Sequence, residues 1–153
     1  PYFQGERTPN LPYATAQIAG LTSHNFTREN LARAAYEGLA CLMRGALEAL
    51  RGGGISVNSA MLIGGGAQSE TLNQILADVL EIPISVPRTS EYVARGAARQ
   101  AAVVAGIPEN TNSWSPDITQ TYKPRENKSV WERYRAVSES IRKSYPTFRP
   151  ESA

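Results

Sequence analysis

Apolar positions along the chain change their spacing from block to block, and each change marks an element. Leu31, Ala34, Ala35, Leu39, Leu42, Met43, Ala46, Leu47 and Leu50 recur at steps of three and four. That period predicts a helix from about Arg28 to Arg51 with one apolar face. Thr27 stands where a capping hydroxyl belongs, Glu29 suits the first turn, and Gly52, Gly53 and Gly54 supply the stop. Ser59 to Ile63 reads as a short buried strand, and Glu70 to Leu80 as a helix carried by Leu72, Ile75, Leu76, Val79 and Leu80. Ile82 to Val86, with Pro83 inside and Pro87 behind, reads as a second strand. Glu91 to Ala105 is an alanine-rich helix suited to close packing, and Thr15 to Leu21 has a weaker strand-like texture. Helix, strand, helix, strand, helix predicts a layered α/β domain.

The two ends are less regular. Residues 1–15 are broken by Pro1, Pro9 and Pro12, and residues 107–126 read as a surface coil. Val130, Trp131, Tyr134, Val137 and Ile141 then form an apolar stripe on a last helix, expected to dock against the same protein. The opening residues, with no initiator methionine, read as the middle of a loop, so the chain is expected to be a piece of something longer.

Composition narrows the classes. With 153 residues, 41% of them hydrophobic and 20% charged, the chain can bury a core of ordinary globular kind. A net charge of +2, with Lys and Arg scattered, does not predict nucleic-acid binding. The single cysteine, Cys41, excludes an internal disulfide and a cysteine-built metal site, and its place in a helical pattern predicts a small buried residue. No apolar run approaches the roughly 18 residues that span a bilayer, so no membrane role is expected and cytoplasm is the expected compartment.

The chemistry concentrates where the first strand meets the second helix. Gly64, Gly65 and Gly66 sit at this joint, where a ligand could approach bare backbone beside unpaired helix-start N–H groups. A phosphate-binding P-loop would need Lys and Ser or Thr after the last glycine, whereas Ala67 and Gln68 follow. The dinucleotide fingerprint accepts Gly64 and Gly66 but meets Ser69 at its third small position, and no acid closes the second strand. A nucleotide lying flat on the backbone and a plain turn both stay open.

The run Gly64-Gly65-Gly66-Ala67-Gln68-Ser69, with the "LNQILADVLEIPISVP" and "EYVARGAARQAAVVAG" that follow, resembles the C-terminal domain of the FGGY carbohydrate kinases. A second stretch agrees with that family's signature: Ala16, Ile18, Gly20 and Leu21, then Asn30, Leu31, Ala34, Ala35, Tyr36 and Glu37. "GERTPNLP" further resembles the xylulokinase branch, particularly its actinobacterial members. The resemblance covers residues 1–106, leaving 107–153 as a surface coil and docking helix. It implies part of a ribonuclease H-like, actin-like ATPase domain, belonging to an enzyme that transfers phosphate from ATP, with Mg²⁺, to a sugar such as D-xylulose. The catalytic aspartate and most of the sugar site would lie in an N-terminal domain upstream, so no catalytic residue and no metal ligand is expected here, and the chain alone would be inactive. Gly65 and Gly66 would lie against the nucleotide, Gly64 and Ala67 would shape the turn, and Ser69 or Glu70 would supply a polar contact. Gly96 and the alanines after it would let the third helix pack close behind the turn.

Other polar residues carry plainer expectations. Glu37 is expected to hydrogen-bond within its helix, and His24 to be a solvated loop residue. Glu6 and Arg7 are open between a domain-interface role and a local pairing, while Arg88, Glu91 and Arg95 are expected to form a solvated edge. A homodimer stands among the assemblies the sequence allows. Two other functions stay in view: a dinucleotide-binding oxidoreductase fragment, and a non-enzymatic regulatory domain with a sugar-kinase-like fold.

Overall fold

The computed structural model describes residues 1–107, 114–125 and 128–145. Among these residues four α-helices and three strands occur in the order α1 (Arg28–Gly52), β1 (Ala60–Met61), α2 (Glu70–Leu80), β2 (Ile84–Pro87), α3 (Tyr92–Val104), β3 (Ile118–Tyr122) and α4 (Lys128–Ser144). A 3-10 turn, Gly65–Gln68, lies between β1 and α2. The chain divides into two compact units, one made of Pro1–Ile55 with Glu126–Ala153, the other of Ser56–Arg125.

In the first unit, Thr27 adopts an extended backbone and its Oγ1 accepts from the Asn30 N–H at 3.2 Å. This satisfies one of the donors that a helix start leaves unpaired. Glu29 in that turn has its carboxyl held below its ordinary value, first by a backbone N–H and then by Thr27. At the other end, Gly53 caps α1 and Gly54 takes φ +84°, a conformation that suits glycine. The buried residues of α1 are Ala40, Cys41, Arg44 and Leu47. Part of the apolar face expected from spacing is instead exposed, at Leu39, Met43 and Leu50. Arg44 shares the buried side because its charge is answered locally. Its Nε donates to Glu48 Oε1 at 3.0 Å, and its guanidinium lies 5.5 Å from the centroid of the Trp131 ring.

Helix α4 docks within the same unit, as its stripe predicts. Ile141 joins a buried cluster with Tyr2, Leu11 and Ala14, flanked by Leu42, Val137 and Tyr145. Trp131 stacks on Tyr134 with centroids 5.8 Å apart. Thr15 to Leu21 forms no strand: it pairs with no extended segment among the described residues. Thr15 uses its hydroxyl instead, 3.1 Å from the Tyr145 hydroxyl.

The second unit is built on a three-stranded sheet with β2 in the centre. β1 pairs with β2 in parallel, Ala60 opposite Ile84, and β3 pairs with β2 antiparallel, Ile84 opposite Tyr122. The β1–α2–β2 passage is thus a parallel crossover. Helix α2 covers β2 and β3, and Ile75, Leu76, Ala77, Val79, Leu80, Ile82, Ile84 and Tyr122 are buried. Strand β3 falls where the sequence reads as coil. Its alternation is weak, since only Tyr122 of Ile118–Tyr122 is buried, so pairing with β2 rather than burial defines it. Part of the expected coil, residues 108–113 and 126–127, lies outside the described residues. No residue of α3 is buried, and a Cβ on Gly96 would meet no atom within 4 Å. The expected close packing of α3 behind the glycine turn is therefore absent among the described residues: short alanine side chains reach no neighbour there.

Candidate functional site

The joint expected from the sequence is a strand, a 3-10 turn and a helix in direct succession. Leu62 N–H donates to Ser85 O at 2.9 Å, carrying the sheet pairing one residue past β1. Gly64 then turns the chain with φ +93° and ψ −177°, a region that essentially only glycine occupies. Gly65, Gly66, Ala67 and Gln68 follow as the 3-10 turn, closed by Ala67 N–H donating to Gly64 O at 3.1 Å and Ser69 N–H to Gly66 O at 3.2 Å. Ser69 caps α2, its Oγ accepting from Leu72 N–H at 3.3 Å. Glu70 is exposed at the first position of α2. All six sequence-expected residues, Gly64, Gly65, Gly66, Ala67, Ser69 and Glu70, therefore lie on one continuous corner.

That corner is open. Gly64, Gly65 and Gly66 are exposed, and Cβ atoms built on Gly64 or Gly65 would meet no atom within 4 Å. One on Gly66 would make an ordinary 3.6 Å contact with Leu72 Cδ2. Backbone geometry accounts for the glycine at 64 alone; Gly65 and Gly66 have neither a positive φ nor a crowding neighbour.

Three polar residues of α2 make contacts that the sequence does not reveal, and one of them, Asn73, reaches the turn. Asn73 is 1% exposed and its Nδ2 donates to Ala67 O at 2.8 Å, bracing the turn from beneath. The next residue, Gln74, donates through Nε2 both to Asp78 Oδ1 at 2.7 Å and to Lys123 O at 3.0 Å. Asp78 in turn accepts from Arg125, through the backbone N–H at 2.9 Å and Nη2 at 2.8 Å. Burial pushes the Asp78 carboxyl up, yet the Arg125 and Gln74 donors outweigh it and hold its pKa below the ordinary value. A polar residue inside an apolar helical pattern is the available signal for Asn73 and Asp78, but spacing cannot show what either meets.

The remaining candidates are local. Glu37 pairs with Arg33 at 2.6 Å within α1, and Glu6 Oε1 accepts from the N–H groups of Arg7 and Thr8 at 2.9 and 3.2 Å. Exposed Arg88 pairs with Asp117 at 2.9 Å. His24 is exposed. Cys41 is buried, and burial followed by the nearby Glu37 carboxylate pushes its thiol up to about 12, so no thiolate is available near neutral pH. Among the described residues no group of His, Cys, Asp or Glu could hold a metal, and no helix is long and apolar enough to cross a membrane.

Residues 1–105 match the model of the FGGY family of carbohydrate kinases, C-terminal domain. The chain belongs to this family. A xylulose kinase of Haemophilus influenzae is 35% identical to this FGGY chain over 147 residues, covering 88% of it and 29% of that protein. A glycerol kinase of Geobacter is 39% identical over 109 residues, covering 70% of the chain and 22% of that protein. The crystal structure of a xylulose kinase from Bifidobacterium adolescentis superposes with a TM-score of 0.76 at 45% identity, covering 90% of this chain and 27% of that one. The FGGY chain thus spans less than a third of the length of these relatives.

Proposed function

We propose that this chain is the C-terminal, nucleotide-binding part of an ATP-dependent sugar kinase, with xylulose as the acceptor. Gly65 and Gly66 carry the reading. Each glycine withholds a side chain that the fold itself has room for, so the bare backbone serves a group laid against it. An adenosine or α-phosphate moiety fits that description, because the α2 start adds N–H groups and positive dipole character beside the turn. Gly64 sets the direction of the turn. Ser69 is held by the helix cap, its Oγ accepting from Leu72 N–H, and we assign the exposed Glu70 to accept from an adenine amino group or a ribose hydroxyl.

Phosphoryl transfer depends mainly on positioning and charge stabilisation. We assign positioning to this chain, which holds the nucleotide while an upstream domain supplies the sugar site and the aspartate that takes the hydroxyl proton. We assign no Mg²⁺ ligand to this chain: Asp78, the buried carboxylate nearest the corner in sequence, is already taken up by Arg125 and Gln74. No step of this chain runs through the metal. We read residues 1–106 as part of a ribonuclease H-like domain of the actin-like ATPases, 107–153 as the segment that follows it, whose strand β3 completes the sheet and whose last helix docks, and the cytoplasm as the site of action. Xylulose is preferred over glycerol as the acceptor on the relatives that match most of the chain, both the Haemophilus and the Bifidobacterium proteins being xylulose kinases. Family membership disfavours a dinucleotide-dependent oxidoreductase, and the failed fingerprint at Ser69 agrees.

The test is Gly65→Ala in the full-length protein. A helical turn that accepts alanine without strain gains stability, by about 0.4–1 kcal/mol, through the unfolded chain. The variant should keep or raise its melting temperature while its KM for ATP rises and its KM for xylulose holds. An unchanged KM for ATP would remove the corner from the nucleotide site.

A further inference from the structure

We propose that Asn73 is the positioning residue of the glycine corner, setting the path of the turn on which the nucleotide rests; this depends on the nucleotide reading above. Asn73 is among the largest fully buried side chains and lies in α2 between Leu72 and the apolar block Ile75, Leu76 and Ala77. Its amide does one thing for the fold: Nδ2 donates to Ala67 O at 2.8 Å. Its Oδ1 is buried with no hydrogen-bond partner. Such an orphan acceptor is a liability that an apolar side chain of similar volume would not carry. Leucine would remove that orphan acceptor, and lose with it the bond to Ala67 O. What leucine cannot do is hold the Ala67 carbonyl.

That carbonyl sits inside the 3-10 turn, one residue past Gly66. The turn has few other constraints. Gly65 and Gly66 bring no side chains to pack, and the closing bonds to Gly64 O and Gly66 O are both internal to the loop. Among the described contacts, the Asn73 amide is the side-chain bond that ties the turn to the buried body of α2. Asn73 N–H donates to Ser69 O at 3.0 Å as the helix's own backbone bond, which any residue there would make, so the side-chain amide is what Asn73 adds. A nucleotide lying on main-chain atoms needs those atoms held in place before it arrives, since ordering them on binding weakens affinity.

The experiment compares wild type with Asn73→Leu in the full-length protein, by steady-state kinetics, thermal melting and hydrogen exchange at residues 64–69. With the tether gone, KM for ATP should rise about tenfold while KM for the sugar stays put. The melting temperature should hold or rise, and amides 65–69 should exchange faster. A KM for ATP within about twofold of wild type, with the fold intact, would overturn the role of Asn73. If leucine does not fit, Asn73→Ala cannot overfill the site and carries the same comparison. Adding ATP to wild type separates the two readings. Slower exchange at 64–69 on ATP, with normal kinetics in the variants, refutes Asn73 alone, whereas no ATP effect on those amides refutes the corner as the nucleotide site and this inference with it.

Discussion

At the scale of single residues, three neighbouring glycines do three different things. Gly64 answers to backbone geometry, an added Cβ on Gly66 would come into ordinary contact with Leu72, and one on Gly65 would meet nothing. Alanine at 64 would force a Cβ into a region costing on the order of 1–3 kcal/mol, although the space around it is empty. Gly64→Ala should therefore lower stability by that amount in chemical denaturation, opposite in sign to Gly65→Ala. Equal effects at both positions would show that the left-handed turn is not fixed. The triple and its place at the joint are plain in the sequence. Its members cannot be told apart there, because φ depends on how strand and helix are aimed at each other. Asn73 is likewise visible as a letter and opaque as a contact, since its partner is a backbone carbonyl six residues away.

At the scale of elements, local signals are legible where they are self-contained. The cap at Thr27, the span Glu70–Leu80 and the start of α3 at Tyr92, next to the expected Glu91, follow from spacing and capping chemistry that neighbouring residues complete among themselves. β3 is hidden because pairing across the sheet creates it, and Thr15–Leu21 fails as a strand for want of such pairing. The latch that holds β3 against α2 joins Asp78 to Arg125 and Gln74 to Lys123, across 47 and 49 residues. Asp78 is 3% exposed, so removing its carboxyl leaves donors behind, and Asp78→Ala should cost about 1–3 kcal/mol in denaturant unfolding. Its pH signature has a definite sign. The folded-state pKa lies below the ordinary value of about 3.9, so the contribution is complete above that pH and is lost as pH falls through the lower folded value. Wild type should lose stability relative to Asp78→Ala only in that acidic window. A gap between the two that is constant with pH would mean the carboxylate is not ionised in the latch.

At the scale of the whole molecule, the exposed apolar residues set the expectation. Val104 is 89% exposed and Val93 83%, and Leu39, Met43 and Leu50 of α1 lie open as well. Each of these two helices, taken by itself, exposes apolar side chains of the kind that contiguous interaction surfaces are built from. If the upstream part of the kinase covers them, the isolated chain should bind a hydrophobic dye and associate with itself, while the full-length protein does neither. An isolated chain that stays monomeric and dye-negative would place those surfaces in water. Membership of the family is legible in sequence from the FGGY signature alone, because the pattern names a family before it names a contact.

The Asp78 latch also bears on where a knife should fall. The family match ends at residue 105, whereas the guanidinium that neutralises Asp78 belongs to residue 125. A protein trimmed to the matched boundary would forfeit the central strand's antiparallel neighbour and the guanidinium paired with Asp78. The minimal folding unit is accordingly longer than the evolutionary one by at least that strand and its arginine.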